Sequence, residues 1–231
     1  ISFTEDIYET LENDGIWHFE QSYMPSMIKN ISYDTICHEH LEYYSLKSLK
    51  YILDKVNFKI IDIELNDING GSFAITVAKK KSKKFNESIL VDWLLKKEEL
   101  YKFNNLQTLL DFKSKIFKHR QLLVDLILNL HDMKKKLAGY GASTKGNVIL
   151  QFCQFDQKLI NYIVDVNPYK RNRFTPGTNI KIISESDFKN KKPDYLIVLP
   201  WHFKNHILQK EIAFLKKGGH FIFPLPDIEI I

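Results

Sequence analysis

Cysteine is nearly missing from this chain: Cys37 and Cys153 are the only two, and they do not form a C-x-x-C pair. That argues against a disulfide framework and a zinc ribbon, and makes a reducing cytoplasm the expected compartment. No apolar run approaches the ~20 residues needed to cross a bilayer, so no membrane partner is expected. The opening Ile1-Ser2-Phe3-Thr4-Glu5-Asp6 has neither the basic nor the apolar region of a leader. It also has no initiator methionine, and reads as the interior of a longer protein with an N-terminal portion upstream. Glycine and proline are absent from 85–131, which leaves helix as the natural conformation there.

What is present is the balance of a folded protein. Hydrophobic residues make up 44% of 231 and charged residues 26%, enough for one large or two small cores. The net charge of +5 is concentrated in clusters such as Lys79-Lys80-Lys81 and Lys134-Lys135-Lys136. Such runs read first as solvated surface and, more sharply, as a preference for small anionic ligands, nucleotides included. No nucleic-acid partner is expected.

Hydrophobic periodicity divides the chain into three parts. Residues 1–82 read as the closing part of an α/β domain: a helix capped at Thr4-Glu5-Asp6, a strand over 15–20, and a helix from Ser45 to Lys55. Leu46, Leu49, Ile52 and Leu53 form one face of that second helix. Paired strands over 58–65 and 72–78 follow, joined by turn chemistry at Asn69-Gly70-Gly71. Residues 83–132 read as a helical connector. One of its stripes is Ile89, Leu90, Trp93 and Leu94; another is Ile116, Leu123, Ile127 and Leu130. Residues 133–231 alternate strand and helix, with strands over 136–140, 159–164, 180–183, 195–199 and 221–223 and a helix over 205–216. This is the rhythm of a doubly wound, Rossmann-like parallel sheet.

Chemistry concentrates at three places. The turn Gly139-Tyr140-Gly141-Ala142-Ser143-Thr144-Lys145-Gly146 joins a strand to a helix. Its glycines admit a phosphate close to the backbone, free N–H groups at the helix start face it, and Ser143, Thr144 and Lys145 add donors and a cation. It matches neither a Walker A loop nor a complete dinucleotide fingerprint, since Thr144 occupies the third glycine position. Asp165 ends the next strand, where a ribose-binding carboxylate is expected. A structural tight turn is the competing reading. Pro200-Trp201-His202 follows the 195–199 strand at the same edge, where Trp201 either stacks on a ligand or packs. Cys37-His38-Glu39-His40 is the densest polar cluster: it lacks the partners for a metal site, and offers a general base or a packing role.

These segments, taken with their order, resemble the sugar-nucleotide C-methyltransferases. The resemblance lies in Asp34-Thr35-Ile36-Cys37-His38-Glu39-His40-Leu41-Glu42-Tyr43-Tyr44-Ser45-Leu46, Gly70-Gly71-Ser72, and the 139–147 turn. It continues in Val164-Asp165-Val166-Asn167-Pro168-Tyr169-Lys170, Pro176-Gly177-Thr178, Leu199-Pro200-Trp201 and Phe223-Pro224-Leu225-Pro226. It implies that 1–82 close a class I methyltransferase-type domain binding S-adenosylmethionine, with most of the donor site outside this chain. Residues 133–231 are then a Rossmann-like C-terminal domain, and the substrate is a nucleotide-linked keto-deoxysugar. By the family's motif His40 is the base and Glu39 holds the sugar. Gly139, Gly141, Ser143, Thr144, Lys145 and Asp165 are expected to hold the nucleotide-sugar, and Trp201 to lie against it. Cys37 stands where many relatives have tyrosine, and Ala74 where arginine often follows the Gly-Gly-Ser turn. Cys37 is thus a substrate contact of altered chemistry, and Tyr43 or Tyr44 is a candidate to supply the missing hydroxyl. A nucleotide-sugar-binding module without methyl transfer and an NAD-type oxidoreductase domain are the alternatives.

Overall fold

The structure, a computed structural model, describes residues 1–231. It forms two units: Ile1–Lys29 with Glu42–Phe112, and Asn30–Leu41 with Lys113–Ile231.

The first unit contains α1 (Ser2–Thr10), β1 (Ile16–Ser22), α2 (Met24–Lys29), α3 (Leu46–Lys55), β2 (Phe58–Asn66), β3 (Ser72–Lys79) and α4 (Leu90–Leu100). It also takes the first residues of α5 (Leu106–Asp132). The three strands form an antiparallel sheet in the order β1-β3-β2. The central strand β3 is buried along almost its whole length, whereas edge strand β1 is not. Phe58, Ile60, Phe73, Ile75, Val77, Leu46, Leu53 and Leu94 build the core.

The start of α3 shows why this helix begins where it does. The Ser45 hydroxyl accepts the Ser48 N–H and the Ser48 hydroxyl accepts the Ser45 N–H, a reciprocal capping box. The next two orphan donors, Leu46 N–H and Lys47 N–H, go to the buried Glu98 carboxylate at 2.6 and 3.1 Å. Glu98 also accepts the Tyr23 hydroxyl at 2.9 Å.

This capping carboxylate explains a correction. The buried stripe of α4 is Val91, Leu94 and Glu98, while Ile89, Leu90 and Trp93 of the expected stripe are exposed. Turning Glu98 inward rotates the expected apolar face partly outward. The connector is also two helices, broken over 101–105. The second expected stripe, Ile116, Leu123, Ile127 and Leu130, is buried.

The second unit contains β4 (Leu137–Tyr140), α6 (Thr144–Phe152), β5 (Ile163–Asp165), β6 (Ile182–Ser184) and α7 (Glu185–Phe188). β7 (Tyr195–Val198), α8 (Lys204–Lys210), α9 (Ile212–Lys216), β8 (His220–Phe223) and β9 (Glu229–Ile230) complete it. The six-stranded sheet runs β6-β5-β4-β7-β8-β9, parallel except for β9. This is the expected Rossmann-like α/β architecture. Strands β4 and β7 are central and buried on both faces, hence their continuous apolar runs. Two elements are shorter than expected. Of the 159–164 segment only its last two residues pair as strand, in β5 (Ile163–Asp165), and the 205–216 helix breaks at Glu211, whose backbone leaves the helical region.

The chain builds β5 and β6 on one side of β4, then β7, β8 and β9 on the other. The loops after β4 and β7 therefore diverge at the switch point of the sheet, where open α/β folds form ligand crevices. No helix is long and apolar enough to cross a membrane.

Candidate functional site

The turn after β4 is shaped by close packing. A Cβ on Gly139 would lie 2.7 Å from Ile163 Cγ1, one on Gly141 2.6 Å from Pro200 Cδ, and one on Gly146 2.7 Å from Leu199 Cβ. Gly141 also has φ +81, a conformation side chains resist. Ser143 caps α6 by accepting the Gly146 N–H at 2.9 Å.

Asp165 closes this turn from the next strand. Its Oδ2 accepts the Ala142 N–H at 2.7 Å and its Oδ1 the Asn167 N–H at 2.8 Å. Lys170 Nζ donates to Ala142 O at 2.7 Å and lies 3.3 Å from Asp165 Oδ2. Both carboxylate oxygens thus already serve the backbone. A cavity of about 340 Å³ lies at this edge, lined by Gly141, Ser143, Asp165, Lys170, Phe203 and Lys210 among others.

The Asn30–Leu41 segment clusters with the second unit. Tyr33, Asp34 and Thr35 are buried, and the Tyr33 ring packs against His119 and Phe152. The Trp201 indole N–H donates to Asp34 Oδ2 at 2.8 Å. Lys145 Nζ donates to Thr35 Oγ1 at 3.3 Å. Two short turns carry the chain onward, Cys37 N–H to Thr35 O and His40 N–H to Cys37 O. Glu39 Oε1 accepts from Thr144 Oγ1 at 3.4 Å and lies 3.9 Å from His38 Nε2. A second cavity, about 480 Å³, is lined by Cys37, His38, Thr144, Asn147, Gln151 and Phe152 among others.

Burial dominates the electrostatics. It pushes the Asp34 carboxyl up, against the Trp201 hydrogen bond and the Lys145 charge. It pushes the Lys145 ammonium down, against the attraction of Asp34 and Cys37. His202 is lowered to about 4 by burial and by the Lys145 charge.

The expected residues therefore fall into three groups. Cys37, Glu39, Thr144, Lys145 and Trp201 come together around residues 33–40, with half-buried His40 on the same segment. Gly139, Gly141, Ser143 and Asp165 shape the turn after β4 and its own cavity. Tyr43 is half-buried and belongs to the first unit. Asp34, Thr35, Lys170 and His202 lay inside the motifs read from the sequence, yet none was given a role there. The one local signal was an acid within the otherwise uncharged run 31–37.

A doubly wound sheet with polar loops at its switch point places this unit among the open α/β folds, which as a class bind ligands at that crevice. Residues 67–226 match the C-methyltransferase C-terminal domain family, and this chain belongs to that family. Over 233 aligned positions it is 29% identical to the C-methyltransferase NovU of Streptomyces niveus. The alignment takes in 98% of this chain and 55% of NovU, so the chain spans little more than half the length of that relative.

Proposed function

We propose that this chain is the C-terminal part of a C-methyltransferase that acts on a nucleotide-linked keto-sugar, and that it supplies the base. The observation that carries the reading is the meeting of Cys37, Glu39 and Thr144 at the start of α6, beside the second cavity. A proton on carbon next to a carbonyl is acidic enough for a positioned imidazole. His40 takes that proton on a ring nitrogen, and the C–H bond pair moves into the ketone to give an enolate. Glu39 accepts from sugar hydroxyls and fixes which hydrogen faces the ring. S-adenosylmethionine, the donor implied by the family resemblance, supplies an electrophilic methyl group for the enolate carbon. The first unit offers no cradle for it, since its three strands are antiparallel and none leads through a glycine turn into a helix like that after β4.

Lys170 and Lys210, which line the cavity at the turn after β4, are the cations that would meet the diphosphate of such a substrate. A dinucleotide dehydrogenase is the weaker reading, because a ribose would have to compete with two backbone N–H groups for Asp165. The test is His40→Asn in the complete protein, beside His38→Asn. Expected is loss of methyl transfer and of deuterium wash-in at the sugar carbon in His40→Asn alone, with substrate binding kept. Normal turnover by His40→Asn moves the base elsewhere and overturns the reading.

A further inference from the structure

Lys145 and Trp201 occupy positions at the sheet edge where a cation and an aromatic ring would ordinarily meet a ligand. Their polar atoms are spent differently. The ammonium reaches the Thr35 hydroxyl, and the indole N–H reaches Asp34. Asp34 is wholly buried, and its Oδ1 has no hydrogen-bond partner. Burying a polar carboxyl group with one oxygen unpaired costs free energy, and an apolar side chain would serve stability as well or better. What the polar arrangement adds is direction: one indole N–H and one ammonium define where residues 34 and 35 sit.

That direction is passed along the chain. The Cys37 N–H binds Thr35 O at 2.9 Å and the His40 N–H binds Cys37 O at 3.1 Å, so each anchored residue sets the next turn. The first turn of α6 holds the segment at two points, Thr144 to Glu39 and Lys145 to Thr35. The His38 and Glu39 side chains are themselves 82% and 58% exposed, so little packing of their own fixes this stretch.

We propose that Asp34, Lys145 and Trp201 are positioning residues that anchor the Glu39–His40 turn to the edge of the sheet, and that the Lys145 ammonium and Trp201 indole do not bind the substrate. The role given to the turn rests on the function proposed above, whereas the anchoring itself does not. It is tested first by hydrogen exchange on the chain described here, comparing Lys145→Met, Trp201→Phe and Thr35→Val with wild type. The amides of Cys37 and His40 should exchange about tenfold faster or more in each variant, while those of β3 and β8 keep their rates. Trp201→Phe keeps a ring in place, and Thr35→Val removes a Lys145 acceptor from the other side, so a misfolded Lys145→Met does not end the test.

The second arm is turnover by the complete protein. A catalytic group displaced by about 1 Å costs on the order of 100-fold, so kcat should fall about 10- to 100-fold with KM for the nucleotide-sugar unchanged. Lys145→Arg, which keeps a cationic donor, should recover part of the loss. Unchanged exchange in all three variants overturns the proposal. So does a raised KM at constant kcat, which would put the ammonium and indole on the substrate. A wild-type protein without methyl transfer would sink the proposed function alone, and the exchange arm would still decide the anchor.

Discussion

Acid should weaken the second unit through His202 before it protonates most carboxylates. Burial and the Lys145 charge lower this ring from 6.5 to about 4 in the folded chain. The unfolded chain therefore takes up the proton first as pH falls. The stabilising contribution is complete above about pH 6.5 and is lost progressively down to about pH 4. At about 1.4 kcal/mol per unit the full displacement is about 3 kcal/mol, and solvent screening of a partly exposed ring reduces it to about 1.5 kcal/mol. At pH 5 roughly 1 kcal/mol should be gone, a fall in the urea midpoint of about 0.5 M. His119, also lowered by burial, acts in the same direction. Asp34, raised by burial, acts oppositely, because its protonation favours the folded state. The informative quantity is thus the difference in pH dependence between wild type and His202→Asn. With Trp17 and Trp93 replaced by phenylalanine, the fluorescence of Trp201 reports the second unit alone. Parallel losses in the two proteins between pH 7.5 and pH 5 would refute the reasoning.

Two further outcomes are expected. Glu98→Leu leaves the Leu46 and Lys47 N–H groups and the Tyr23 hydroxyl without their shared acceptor, and should cost about 3 kcal/mol in urea unfolding of the first unit; Glu98→Gln, which keeps one acceptor oxygen, should cost less. Gly141→Ala forces a left-handed side-chain residue and a contact 2.6 Å from Pro200 Cδ, so it should cost about 2 kcal/mol or more, with the loss confined by hydrogen exchange to the ends of β4 and β7.

Local pattern carried much of this architecture. Ser45 followed by an apolar face marked α3, and the alternation of buried runs with glycine turns marked a parallel sheet, because capping and periodicity act within a few residues. The Gly139-to-Gly146 turn was likewise visible as a strand-to-helix junction. The packing of its glycines and the partner of Asp165 were set by tertiary neighbours: Ile163, Leu199 and Pro200 press against the glycines, and Ala142 donates to the carboxylate. The same holds for α4, where the sequence pointed to a stripe through Trp93 and the unsatisfied N–H groups of α3 drew Glu98 inward. The anchor of the His40 segment was least legible of all. Trp201 lies 167 positions from Asp34 and Lys145 110 from Thr35. At such separations no periodicity links the partners, and a buried carboxylate shows its partners only once the sheet has brought them together.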